Sequence, residues 1–178
     1  MKRWLLGVVA VVAVQVAAAK IVSVDSSDVV ENLTIRLSDG RSFRAPLTDA
    51  EQAGFRSAAV SSDGRYVGWT ATFGNCCTSY PLPLSLVVHD GERVVLLIRR
   101  EAGPSIFEWR FSPDNRYVVY EQTMPHGWSP TWYTRVRLAD GQVVGRFECD
   151  PPEDEERPPK RLVRPPTWTG AAASLCVP

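Results

Sequence analysis

The sequence predicts an all-β protein built from repeated antiparallel hairpins, and three observations support this fold class. Residues 60–69 (VSSDGRYVGW) return as residues 111–120 (FSPDNRYVVY), an offset of 51 residues. Asp-Gly pairs at 39–40, 90–91 and 140–141 continue this spacing, at 51 and then 50 residues. No stretch of the chain keeps a helical period, and Gly and Pro interrupt it too often for long helices. A repeat of this length is typical of stacked supersecondary units, and the unit here is a pair of β-hairpins.

Each repeat is centred on a turn in which Asp precedes Gly or Asn. The Asp carboxylate accepts hydrogen bonds from backbone N–H groups just ahead of it, and Gly or Asn tolerates the positive φ that a tight turn demands. Asn115 in the second copy is therefore an allowed replacement for Gly64 in the first. Each of these turns therefore indicates a hairpin, with one strand before the turn and one after it.

β-branched and aromatic residues alternate around the turns and place the strands in chain order. A partial first unit has strands near 21–25, 33–38 and 41–45. The two full units have strands near 55–61, 65–73, 84–89 and 93–99, and then near 106–111, 116–123, 132–138 and 142–147. These units make about three sheets, whereas closed propellers generally have at least four blades. We expect propeller-like antiparallel blades in an incomplete or open ring, with a β-sandwich of duplicated hairpins as the alternative.

Residues 111–115, Phe-Ser-Pro-Asp-Asn, resemble the Phe-Ser-Pro-Asp-Gly centre of the four-stranded blade in TolB-type β-propellers. The resemblance covers residues 55–147, with two departures: Ser62 stands in place of Pro, and Asn115 in place of Gly. The loop at 74–83 is also similar to a segment of exported bacterial proteins that carry the same turns, a similarity that implies no activity. TolB-type propellers are periplasmic interaction platforms, so the resemblance implies binding to a protein or another cell-envelope component.

Residues 1–19 have the pattern of a secretory signal peptide. Lys2 and Arg3 precede an apolar stretch at 4–14, and small residues follow at 17–19. The apolar part is shorter than the roughly 20 residues that span a bilayer, so we expect cleavage after Ala19. The mature chain would then have 178 − 19 = 159 residues and no membrane span, and would be periplasmic or secreted. An uncleaved anchor is the alternative.

Charge argues against a nucleic-acid partner. The whole chain has 20 basic and 20 acidic side chains, and removal of Lys2 and Arg3 leaves 18 against 20, a net charge of −2. Binding to phosphate backbones requires a basic field that this composition lacks.

The mature chain divides into three parts. Residues 20–149 form the repeat-built β domain. Residues 150–161 are rich in proline and charge, and their paired prolines favour an extended surface excursion. Residues 162–178 are expected to pack on the β domain as a C-terminal segment.

Four cysteines in an exported chain indicate structural disulfides. Cys76 and Cys77 are adjacent, and Cys149 and Cys176 bracket the excursion, so three pairings are possible. A bond between Cys149 and Cys176 would close a loop of about 28 residues and leave the other two as a strained neighbour bond or as free thiols. We favour the crossed pairings, in which Cys76 and Cys77 each take one distant partner. The spacing does not fit a zinc site, and the chain has only two histidines.

The two longest connectors carry the candidate binding residues. The loop at 74–83 occupies the place in the first full unit that 124–133 occupies in the second, and equivalent connectors emerge on one side of a stack of units. Aromatic, amide and hydroxyl side chains there suit a recognition surface. The predicted binding residues are Asn75, Thr78, Ser79, Tyr80, His126, Trp128, Trp132 and Tyr133. The alternative is that the aromatic rings cap the ends of the core.

No catalytic constellation is evident from the sequence. His126 with Ser129 or Ser79 lacks the nucleophile elbow, metal signature or glycine loop that would frame a site. His89 lies in an alternating strand and is expected to face solvent. We predict a non-catalytic binding protein without cofactor or metal, and the sequence leaves an oligomer open. The alternatives are a hydrolase-type enzyme with its site on the same loop face and a structural envelope component.

Overall fold

The computed structural model describes residues 19–25, 29–74, 78–99, 104–125, 130–149 and 164–170. This part of the chain is all-β, and its only helical element is a 3-10 turn at Thr167–Thr169. The strands in chain order are β1 (Ile21–Val24), β2 (Val29–Val30), β3 (Thr34–Leu37), β4 (Ser42–Arg44), β5 (Gln52–Val60), β6 (Val67–Phe73), β7 (Leu82–His89), β8 (Val94–Arg99), β9 (Ser105–Phe111), β10 (Tyr117–Thr123), β11 (Thr131–Arg137) and β12 (Val143–Cys149).

The strands form three antiparallel sheets, one for each predicted unit. Sheet A has the order β1-β3-β4, sheet B the order β2-β5-β6-β7-β8, and sheet C the order β12-β11-β10-β9. None of the sheets closes on itself within the described residues. The prediction of an all-β fold with about three open sheets is confirmed, while β2, which the sequence did not predict, adds a short strand to the free edge of β5.

Sheet B lies between the other two sheets and is buried on both faces. Trp69 and Val87 belong to a core cluster that includes Ile35 of sheet A. Leu86 belongs to a second cluster that includes Ile106 of sheet C. Successive residues of β7 enter different cores because side chains alternate along a strand. The sequence of β7 is accordingly a nearly continuous apolar run.

The two copies of the repeated segment form the same turn. In the first copy, Ser61 Oγ donates to Asp63 Oδ1 at 2.7 Å and accepts the Tyr66 backbone N–H at 2.9 Å. The equivalent bonds in the second copy, within residues 112–117, measure 2.6 Å and 3.0 Å. The residue after each Asp has positive φ, +71° at Gly64 and +53° at Asn115. Local turn chemistry therefore acts as the sequence predicted.

Trp109 of β9 joins sheet C to sheet B. Its indole Nε1–H donates to the backbone oxygen of Ser57 at 2.8 Å. Ser57 lies in a β-bulge of β5 with a φ of +52°. The Trp109 ring lies against Gly68 of β6, where an added Cβ would be 2.6 Å from Trp109 Cη2. The absence of a side chain at Gly68 thus makes room for the indole.

His89 is buried, so the expectation that it faces solvent was wrong. Its exposed fraction is 6%, and its ring lies 5.1 Å from the Phe43 ring and 6.3 Å from the Trp69 ring, centroid to centroid. Its Nδ1 accepts the Gly91 backbone N–H at 2.9 Å. The physical reason is that sheet B is covered on both faces. Burial lowers the pKa of His89 below its ordinary value, and the charge of Asp90 opposes that effect.

Candidate functional site

The structure describes part of the predicted loop face. Five of the eight predicted binding residues lie in the described ranges: Thr78, Ser79, Tyr80, Trp132 and Tyr133. The other three lie outside them: Asn75, His126 and Trp128. Ser79 and Tyr80 are exposed, Tyr80 by 40%. The Thr78 hydroxyl donates to the Tyr80 backbone oxygen, which holds this short turn in shape.

Trp132 and Tyr133 are neighbours in β11, so their side chains leave opposite faces of sheet C. Trp132 is half-buried and lies opposite Gln122 and Glu148 on the adjacent strands. Tyr133 is only 9% exposed. Its burial matches the alternative prediction, in which the aromatic residues pack within the fold.

Tyr133 belongs to a row of side chains that crosses sheet C. The strand register places Glu108, Glu121, Tyr133 and Phe147 opposite one another on four adjacent strands. Burial, together with the charge of Glu121 and a hydrogen bond to it, raises the pKa of Tyr133 to about 12. Burial and the charge of Glu108 raise the pKa of Glu121. The sequence prediction missed this cluster, because only the strand register brings the two glutamates together.

The described C-terminal residues, 164–170, lie on the same face of sheet C. Arg110 Nη2 donates to the Trp168 backbone oxygen at 2.9 Å. The Trp168 ring covers Gly145, where an added Cβ would be 3.1 Å from Trp168 Cζ2. Thr169 is 1% exposed. This part of the chain therefore contacts the second repeat directly.

Cys149 is the last residue of β12, is half-buried and lies opposite Thr131 of β11. The other three cysteines, Cys76, Cys77 and Cys176, lie outside the described residues. The pairing among the four stays a prediction, as do the signal peptide at 1–19 and the excursion at 150–161, which also lie almost wholly outside the described ranges.

An open hollow of about 1440 Å³ lies at the other end of the sheets, where short turns of all three sheets meet. It is bordered by residues 37–39, 41, 64–66, 90–95 and 138–139, which belong to the turns β3–β4, β5–β6, β7–β8 and β11–β12. The prediction of a long-loop site did not include this hollow. The sequence gives the position of each turn, but the hollow arises from how the three sheets are placed beside one another.

The charged residues that line the hollow are of both signs: Lys20, Arg41, Arg65, Arg93, Asp39, Asp90 and Glu92. The backbone N–H and the guanidinium of Arg41 hold the pKa of Asp39 below its usual value. Burial alone would raise the pKa of Asp90, but backbone N–H bonds from Arg93 and Glu92 lower it. These carboxylates are therefore ionised at neutral pH and engaged in turn formation.

No protein-family model and no curated protein matches the sequence. Within the described ranges, no group of three or more His, Cys, Asp or Glu residues could hold a metal ion. No helix among those residues has the length and apolar character needed to cross a membrane. The functional assignment therefore depends on the geometry of the repeats.

Proposed function

We propose that this is an exported, non-catalytic interaction protein of the bacterial cell envelope, built from TolB-like repeats, which binds a protein or another envelope component. The observation that supports this most is the lateral contact between the two repeats, through Asn115 to Ser62 at 2.8 Å and Trp109 to Ser57 at 2.8 Å. β6 and β10 both begin beside these contacts and are seven residues long. Gly74 and Met124, the first residues after these strands, therefore lie in neighbouring sheets after strands of equal length.

Exposed apolar side chains stand on both connectors. Tyr80 is 40% exposed on the first and Met124 is 43% exposed on the second. The turn at 78–80 is ordered by the Thr78 hydroxyl bond, so binding through Tyr80 costs less conformational entropy than binding through a free loop. Aromatic and Met side chains of this kind suit contact with a partner surface.

A site-specific crosslinking experiment tests the proposal. A photoreactive phenylalanine analogue replaces Tyr80 or Met124 in the exporting bacterium, and a control variant carries it at Val143, which is 45% exposed at the start of β12. We expect the same discrete adduct from positions 80 and 124 and none from 143. The purified partner should bind the native protein about tenfold more tightly than a Tyr80→Ala, Met124→Ala variant.

Two outcomes would reject the proposal. One is the absence of a discrete adduct at both connector positions, and the other is the same adduct at all three positions. Export is tested separately by sequencing the amino terminus of the envelope form, which should begin at Lys20.

A further inference from the structure

Three turns of this protein carry the pattern Asp-x-Arg, at 39–41, 63–65 and 114–116. In the first and third, the arginine Nε lies 2.7 Å from its own aspartate Oδ2. The middle turn differs. Asp63 accepts the backbone N–H of Arg65 at 3.1 Å, but the Arg65 guanidinium forms no ion pair with any described carboxylate.

The Arg65 guanidinium is held in a different position, over Tyr66. Its Cζ lies 5.2 Å from the centre of the Tyr66 ring, and its Nη2 donates to Tyr66 Oη at 3.1 Å. The Tyr66 ring in turn stacks on Phe111, with centroids 6.4 Å apart. Tyr66 therefore orients the Arg65 side chain at the wall of the hollow, while the charge of Arg65 interacts with Asp63 without a direct ion pair.

Lys20, a second basic residue in the lining, lies beside the same turn. The Lys20 backbone N–H donates to Ser38 Oγ at 3.0 Å, and the next N–H, from Ile21, donates to the Gly64 oxygen at 2.8 Å. The aliphatic part of Lys20 lies against Gly64, where an added Cβ would be 3.3 Å from Lys20 Cβ. Lys20 forms no ion pair with a described carboxylate. Since Gly64 precedes Arg65, both cationic side chains begin next to this glycine.

We propose that Lys20 and Arg65 bind a phosphate group in the hollow at the turn end. Both positive side chains begin beside Gly64 and line the hollow, and an anion between them would be attracted to both. The guanidinium offers a planar pair of donors that matches phosphate oxygens, and the ammonium adds a compact charge. The volume of about 1440 Å³ leaves room for the molecule that carries the phosphate. This site is separate from the loop face and does not depend on the function proposed above.

The acidic residues in the lining oppose binding to different extents. Asp39 is paired with Arg41, and Asp90 accepts backbone N–H bonds at 2.8 Å and 2.9 Å. Glu92 is exposed and forms no ion pair among the described residues. Its carboxylate is the lining charge that most directly weakens phosphate binding, so its removal should strengthen it.

The second copy of the repeat provides an internal control. Asn115 stands at the position of Gly64, and Arg116, at the position of Arg65, is paired with Asp114. The same turn sequence is therefore present without the proposed site. Arg116→Gln removes an exposed arginine from an equivalent backbone position and should leave phosphate binding unchanged.

Titration with sodium phosphate, followed by amide NMR at pH 7, tests the site, with sodium chloride holding the ionic strength constant. We expect saturable shifts at the amides of Ile21, Gly64 and Arg65. Arg65→Gln and Lys20→Gln should each weaken binding about tenfold, because each removes a charge-assisted contact. Glu92→Gln should tighten binding about threefold.

The inference fails if no saturable shift appears at about 50 mM phosphate. It also fails if Arg116→Gln weakens binding as much as Arg65→Gln, or if chloride alone gives the same shifts. All the substituted side chains are exposed or at the rim, so the amide spectrum of each variant should otherwise match the native one. None of these outcomes bears on the crosslinking result for the loop face.

Discussion

Ser62 and Asn115 hydrogen bond to each other across the two copies of the repeat, through the Ser62 backbone N–H at 3.3 Å and its hydroxyl at 2.8 Å. In the Phe-Ser-Pro-Asp-Gly pattern that these segments resemble, Pro stands at the position of Ser62 and Gly at the position of Asn115. Neither residue could form these hydrogen bonds. Proline has no backbone N–H, and glycine has no side chain. The two departures from the pattern are therefore complementary, although 53 residues separate them in the chain.

Ser62→Ala and Asn115→Gly should be coupled by about 0.5–1.5 kcal/mol in the free energy of unfolding, because both remove the hydrogen bonds between the Ser62 hydroxyl and the Asn115 amide. Asn115→Gly also relieves the left-handed backbone and loosens the unfolded chain, but these effects cancel in a double-mutant cycle. Urea unfolding of the single and double variants measures the coupling. Ser42, exposed on β4, provides the control: Asn115→Gly with Ser42→Ala should be additive within about 0.5 kcal/mol. Equal coupling in both cycles would contradict the contact.

Gly68→Ala should destabilise the protein by about 1–3 kcal/mol through overpacking. The new methyl group would lie 2.6 Å from Trp109 Cη2 and 3.1 Å from the Val87 oxygen. Gly74→Ala is the matched control, because a Cβ there meets nothing within 4 Å. It should stay within about 0.5 kcal/mol of the native protein. Thermal unfolding distinguishes the two, and similar losses would mean that the indole does not lie against Gly68.

The stability of the protein should rise with pH as the pH approaches about 6.5 from the acid side, because of His89. Burial lowers the folded-state pKa of His89, so in this window the unfolded chain binds a proton that the folded chain does not. His89→Asn keeps an acceptor for the Gly91 N–H and removes the titrating ring. It should reduce stability overall but flatten the pH dependence in urea unfolding.

Glu121, whose folded-state pKa is raised, contributes a loss of stability as pH rises. This contribution is present in both the native protein and the His89→Asn variant, so it cancels in the difference between them. Parallel pH profiles for the two proteins would show that His89 is not buried in its neutral form.

Ser112→Ala should raise the pKa of Asp114, because the Ser112 hydroxyl is the largest of the groups that hold it low, ahead of Arg116. Ser61→Ala should raise the pKa of Asp63, where the Ser61 hydroxyl opposes the effect of burial. Carboxyl-carbon NMR titration measures both values. Each variant is the control for the other. A shift of the pKa at both aspartates in either variant would contradict the assignment of each effect to the serine hydroxyl of the same turn.

The strands could be predicted because their limits are set by local turn chemistry. Asp followed by Gly or Asn fixes each hairpin within a few residues, and all the predicted strands are present. β2 could not be predicted in this way, since it is two residues long and exists only through pairing with β5.

The side chains that the sequence analysis misplaced or missed are all positioned by contacts between sheets or by the register between strands. The alternating pattern of its strand predicted that His89 faces solvent, but sheet A covers the face of sheet B into which His89 points. Glu108 and Glu121 meet only through a register that shifts at the next residue of β10. The hollow likewise needs three sheets in fixed relative positions, which no single segment of the chain specifies.

Lys20 is joined to Ser38 through both its backbone groups, and Ala19 before it already borders the hollow. If the leader is removed after Ala19, as we propose, the freed α-ammonium of Lys20 adds a further positive charge at that border. Precursor and processed forms would then differ in their attraction for anions. Proteolytic maturation would then strengthen anion binding at the hollow without creating the site.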